Sequence, residues 1–172
     1  TIISSNEVQV EITNPCGIFD LRIVEVHIGN NDYAQIRNPT SCTLSLNGLR
    51  MRFDDNSLTD VNMNFPANRV LGPNEVIYVC ESSVSNCGNV GGGGRANDVC
   101  LTSNIGYSGT GSRSGTTSLC NGDCSIAANV IDIHQFTSST TPPPNGPMGI
   151  TYTPGPQPAI SNQQTQSYLR SN

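Results

Sequence analysis

The chain of 172 residues has room for one domain of ordinary size with a tail left over. Hydrophobic residues make up 35% and charged residues 12%, with 17 Gly and 11 Pro, the profile of an all-β, loop-rich protein without long amphipathic helices. Net charge is −5 and there is no Lys, so no basic stripe exists for nucleic acid, and P-loop, Schiff-base and Ser-Lys chemistries are excluded.

In chain order, the first element is "EVQVEI" at residues 7–12, which alternates polar and apolar residues like a half-buried strand. Its Val8, Val10 and Ile12 face needs a sheet, supplied either by the same chain or by another copy. A turn at "NPCG" separates it from "DLRIVEVHI", residues 20–28, which reads as a strand. After a "GNND" turn, "YAQIRNP" is a strand stopped by Pro39, and "TLSLNGLRMRF" reads as the next. In that stretch Leu44, Leu46, Leu49, Met51 and Phe53 carry the apolar face, and Arg50 and Arg52 are expected to face water. "FPANRVLGPNEVIYVC" contains a loop at "LGPNE" followed by a strong strand at Val76–Cys80, which brings the predicted strands to at least five.

Residues 81–115 read as a long irregular region, too rich in Gly and Ser to bury much. "TTSLCNGDC" then predicts a strand and a tight turn, with "NVIDIHQF" returning as its antiparallel partner. From Thr137 the composition changes: five consecutive Ser/Thr residues precede "PPP", and seven of the prolines fall between Pro142 and Pro158. Such a segment favours extended backbone and makes no core of its own, so the domain boundary falls at Phe136.

The seven cysteines, Cys16, Cys42, Cys80, Cys87, Cys100, Cys120 and Cys124, come with two His and no C-x-x-C, which favours disulfides over zinc. Cys80 with Cys87 and Cys120 with Cys124 have the spacing of local staples, and Cys87 and Cys100 are expected to tether the irregular region. An odd count leaves one thiol free, bonded to another chain, or paired beyond these residues. Disulfides imply an oxidising compartment and hence secretion. No signal peptide or membrane span is visible, and a start at Thr1 without Met suits a mature, processed product.

Catalytic patterns are missing. No G-x-S-x-G occurs, and His27 and His134 lie in strand patterns. Asp54, Asp55 and Asp60 read as a solvated loop rather than as an acid/base pair. "NND" and "DDNS" complete no calcium loop, and the run Gly91–94 precedes no helix and carries no Lys. No cofactor is expected. The near match to an N-glycosylation site, "NPT" at Asn38, is forbidden by its Pro, so any sugar is O-linked, with Thr137, Ser138, Ser139, Thr140 and Thr141 as candidate acceptors.

The order of "IVEV" (residues 23–26), "DYAQIRNP" (32–39), "LSLNGL" (44–49), "FPANRVLGPNEVIYV" (65–79) and "NVIDIHQF" (129–136) resembles the lamin-tail domain, of the kind found in secreted bacterial proteins. The resemblance covers roughly residues 21–136, and "SYLR" at 167–170 is similar to that family's closing Ser-x-x-Arg. Gln35 stands where the family often has Glu, and Leu49 replaces a Trp. The resemblance implies an immunoglobulin-like β-sandwich and no particular activity.

Three segments are therefore expected: residues 1–13 as an extra N-terminal strand, 14–136 as the sandwich, and 137–172 as an extended Pro-rich C-terminal tail. The expected role is that of a non-enzymatic, extracellular structural subunit, a homopolymer assembling by β-strand addition with Val8, Val10 and Ile12 at the subunit interface. The alternative is a carbohydrate- or surface-binding module of a larger secreted protein, against which the lack of Trp counts. Partners would be copies of the chain and attached O-linked glycans, with no nucleic acid and no membrane span.

Overall fold

The computed structural model describes residues 16–28, 32–55, 61–81, 98–101, 105, 107, 115–137, 157–158 and 166–169. Apart from two single 3-10 turns, Ile18–Asp20 and Ala127–Asn129, every regular element among them is a strand. In chain order these are β1 (Arg22–Ile28), β2 (Tyr33–Arg37), β3 (Leu44–Ser45), β4 (Leu49–Asp55), β5 (Val61–Asn64), β6 (Val70–Leu71), β7 (Val76–Cys80), β8 (Val99–Cys100), β9 (Gly115–Asn121), β10 (Val130–Thr137), β11 (Gln157–Pro158) and β12 (Gln166–Leu169). The protein is all-β.

One sheet has the order β12-β1-β2-β7-β8 and a second the order β11-β10-β9-β4-β5, while β3 and β6 form a small ladder between them in sequence. Neighbours are antiparallel except β7 with β8 and β10 with β11. Period-two alternation, shifted once by the irregularity between Ile23 and Glu25, places Ile23, Val26, Ala34, Ile36, Ile77 and Val79 of the first sheet in one apolar cluster with Leu49, Met51, Phe53, Leu119 and Phe136 of the second. The two sheets thus close on a single core. β9, flanked by β4 and β10, is buried from Gly115 to Cys120 on both of its faces.

The stretch expected as one strand at residues 43–53 is two. Its apolar positions change phase between Leu46 and Leu49, and the turn at Asn47–Gly48 absorbs the change: Gly48 has φ +80° and the Leu49 N–H donates to the Leu46 carbonyl at 3.1 Å. All five apolar side chains of the stretch are buried. The hairpin of β9 and β10 forms as expected, with Ile133 opposite Ser118.

Two expectations need correction. The Gly/Ser-rich region contributes Val99, Leu101, Ile105 and Tyr107 to the core, and Tyr107 heads the fully buried side chains by volume. Tyr107 is held by a hydrogen bond to the Thr116 carbonyl at 2.8 Å and packs edge-on against Phe53 and Phe136, so apolar residues between the glycines fill the core that the composition discounts. Asp54 lies buried in β4, paired with Arg52 at 2.7 Å, not in a solvated loop. Of the residues after Thr137, Gln157–Pro158 pairs with β10 and Gln166–Leu169 with β1.

Buried polar side chains tie the two sheets and their loops together. The Ile23 N–H of β1 donates to Asp132 Oδ2 of β10 at 2.7 Å, across 109 residues of sequence. Both partners sit at irregularities, between Ile23 and Glu25 in β1 and between Val130 and Asp132 in β10. Asn38, at the end of β2, is buried; its Nδ2 donates to the carbonyls of Cys42, Leu71 and Gly72 at 2.7, 3.0 and 2.9 Å, and its Oδ1 accepts from Thr40 N–H at 3.0 Å.

Asp132→Ala leaves the buried Ile23 amide without its acceptor and is expected to cost about 2 kcal/mol of stability, measured by chemical denaturation. Asp132→Asn keeps an acceptor oxygen and should cost clearly less; equal losses would remove the hydrogen bond as the cause. Gly115 opposes Phe136, and an added Cβ would lie 2.5 Å from its ring and 2.8 Å from that of Tyr107. Gly115→Ala is therefore expected to lose about 1–3 kcal/mol through overpacking, read as a lowered midpoint in the same assay.

Candidate functional site

Among the described cysteines, Cys16 is joined to Cys42, with Cα atoms 6.0 Å apart, and Cys120 to Cys124, with Cα atoms 5.4 Å apart. The first bond ties the segment before β1 to the loop after β2, and the second closes the turn between β9 and β10. Cys80 is also disulfide-bonded, and Cys87 lies outside the described residues. Cys100, expected to tether the irregular region, is instead an exposed free thiol on β8. Its place in a two-residue edge strand explains this, because the backbone ladder to β7 holds the segment without it.

No constellation for covalent or acid/base chemistry comes together among the described residues. His134 is buried in β10 on the side that carries Phe136 toward the core, and His27 lies in β1, in the other sheet. No group of three or more His, Cys, Asp and Glu suited to a metal ion occurs among the described residues. Glu81 accepts the Asp32 N–H at 3.0 Å and the Ile105 N–H at 3.3 Å, and its own N–H donates to the Asp32 carbonyl at 3.0 Å. Its carboxylate thereby organises backbone where β2 begins and β7 ends, which is a structural role. No helix among the described residues is long and apolar enough to cross a membrane.

The outer face of the first sheet carries an aromatic group. His27 stacks on Tyr33 with ring centroids 4.6 Å apart, Tyr78 meets Tyr33 edge-on at 5.5 Å, and the Tyr33 hydroxyl donates to Glu25 at 2.8 Å. Tyr33 and Tyr78 are buried with Cys80 in a second small cluster, so they do not form an open platform on which a sugar ring could stack. Burial lowers the His27 pKa from its ordinary value, against the opposing pull of Glu25.

The sheet edges are the remaining feature with chemistry to offer. An edge strand presents a row of N–H and C=O groups that another strand can complete. At one side of the first sheet β12 covers Glu25 to Ile28 of β1, and at the other β8 covers only Val79 and Cys80 of β7. In the second sheet β11 covers two residues of β10, and among the described residues β5 forms the opposite edge. β5 reads Val-Asn-Met-Asn: it has no charge, no proline and no bulge, and Asn62 and Asn64 are exposed. Sequence reading missed this strand, although Val61, Met63 and Phe65 alternate with Asn62 and Asn64 at period two. Of the residues expected at an interface or as sugar acceptors, Val8, Val10, Ile12, Ser138, Ser139, Thr140 and Thr141 lie outside the described residues, and Thr137 is the last residue of β10.

Comparison of the chain with protein families gives no match, and comparison with curated proteins gives none either.

The neutral His27 ring is the form that folding favours. Stability is therefore expected to be full above the ordinary imidazole pKa of about 6.5 and to fall as pH drops from there toward the lowered native value, because the unfolded chain takes up the proton first. His27→Gln should remove this part of the slope, as checked by thermal melts between roughly pH 7.5 and 4.5. A variant profile parallel to the parent's would assign the slope to other groups.

Proposed function

We propose that the chain is a non-enzymatic, extracellular structural subunit that assembles with copies of itself into a fibre by β-strand addition of a terminal segment. The observation that carries this reading is the use of terminal chain at sheet edges: Gln157–Pro158 and Gln166–Leu169 are each laid along an outer strand of a different sheet. A fold that completes its edges with extended strands from outside the compact core needs no new chemistry to accept one from a neighbour. A head-to-tail contact of this kind does not close on itself and grows as a fibre. Oxidised Cys16, Cys42, Cys80, Cys120 and Cys124 support an oxidising, extracellular setting.

In this reading the two-sheet core is the immunoglobulin-like sandwich of a lamin-tail type, residues 1–13 are the donor strand, and the Ser/Thr cluster at 137–141 carries O-linked sugar beside its prolines. The buried state of Tyr33 and Tyr78 speaks against the alternative of a carbohydrate-binding module.

Electron microscopy of the full chain is expected to show filaments, and deletion of residues 1–13 is expected to give a folded, soluble monomer. If the truncated chain forms the same oligomer as the full chain, the donor role is wrong; if the full chain stays dispersed at every concentration, the fibre is wrong.

A further inference from the structure

We infer that β5 is the acceptor edge: residues 7–12 of a second copy add beside Val61–Asn64 as the next strand of the second sheet. The inference rests on the assembly reading and names its partner surface.

Backbone phase is the first argument. The Phe65 N–H donates to the Leu49 carbonyl at 3.0 Å, and the register continues from there with Arg50 opposite Asn64, Met51 opposite Met63, Arg52 opposite Asn62 and Phe53 opposite Val61. In an antiparallel pair, hydrogen-bonded and non-hydrogen-bonded positions alternate. Met63 and Val61 are therefore the residues bonded to β4, and the N–H and C=O groups of Asn62 and Asn64 point away from it. Two donors and two acceptors, spaced two residues apart, stand along the side of β5 that no other described strand occupies.

Side-chain phase agrees with the added strand. Val61 and Met63 are half-buried and pack against the core, on the face they share with their cross-strand partners Phe53 and Met51. A donor strand that sets Val8, Val10 and Ile12 on this face extends the core by one strand. Its Glu7, Gln9 and Glu11 then lie on the other face with Asn62 and Asn64. Beyond those short amides stand Arg50 and Arg52, about two strand spacings or roughly 10 Å from the donor backbone, within the joint reach of an Arg and a Glu side chain. Arg52 is engaged by Asp54, whereas Arg50 is exposed and has no ion pair within 4.0 Å among the described residues. Asp123, fully exposed, acts on both only at longer range. Arg50 is thus the cation that meets the acidic face of the donor.

The anchorage of the N-terminal segment favours a second copy over the same chain. The turn Ile18–Asp20 packs against β10, which is separated from β5 by β9 and β4. A strand added outside β5 lies four strand spacings from β10, roughly 19 Å, which residues 13–17 cover only when fully extended. A neighbouring subunit carries no such limit.

The test uses the full chain in two variants, with filament formation followed by sedimentation and electron microscopy. Asn62→Pro removes an N–H that points outward and leaves the ladder to β4 intact, as edge positions tolerate. It is expected to yield a monomer that melts as the parent subunit does and forms no filaments. Arg50→Glu is expected to raise the critical concentration about fivefold, and Glu11→Arg in the same chain to restore it. Filaments of Asn62→Pro at the parental critical concentration overturn β5 as the acceptor, while the loss of assembly on deleting residues 1–13 would still uphold strand addition elsewhere. Should Asn62→Pro fail to fold, the charge exchange decides: rescue by Glu11→Arg supports the contact, and the absence of rescue overturns it. Dispersed parent protein overturns the assembly reading itself.

Discussion

A buried hydrogen bond, from the Ile23 amide of β1 to the Asp132 carboxylate of β10, joins the two sheets where each ladder is broken. A strand irregularity leaves a backbone group without its ladder partner, and in a dry core that group costs free energy unless another acceptor is brought to it. The carboxylate meets this need and sets the two sheets in register. Displacing either strand by one residue would remove this contact and turn the apolar side chains of that strand outward. The packing of Ile23, Val26, Phe136 and Leu119 into one core presupposes this alignment.

The same economy recurs at the strand ends. A chain with 12% charged residues has few ion pairs available, and Arg52 with Asp54 is the ion pair within 4.0 Å among the described residues. Backbone groups are gathered instead by single buried side chains: Asn38 serves three carbonyls of two loops, and Glu81 serves amides from two segments. Each can satisfy several partners because an amide or carboxylate carries several donor or acceptor sites in one plane. Disulfides act on a different part of the problem, since Cys16–Cys42 and Cys120–Cys124 restrict the unfolded chain around the segments that enter β1 and leave β9.

Open edges connect this architecture to assembly. Strands of two to four residues border both sheets, which limits how much unpaired backbone any one edge presents. β5 differs from the others in combining a side unoccupied among the described residues, an uncharged sequence and a half-buried apolar face. The features that make such an edge a hazard in a monomer are those that make it a receptor in a fibre.

Much of the all-β character was legible in the sequence, because alternation over five or more residues marks a strand wherever one face is buried. Val76–Cys80 was read at its true bounds, as was the pairing of β9 with β10 through the turn that Cys120 and Cys124 close. The short strands β6, β8, β11 and β12 were not legible, since two to four residues of mixed polarity carry no periodic signal, and their strand state follows from the neighbour each lies beside. Tyr107 was hidden by its surroundings: local composition describes the glycines and serines around it, whereas its burial depends on the space left between Phe53 and Phe136, residues distant in the chain. Likewise "VID" names Asp132 as a strand residue, but only the crossing of β10 over β1 makes it the partner of the Ile23 amide. The amino-acid sequence by itself determined where backbone must be extended and which side of each long strand is apolar, because those are properties of neighbouring residues. Which strands meet, which buried polar group answers which, and which edge stays open were decided by tertiary structure, because each depends on groups brought together across many residues of chain.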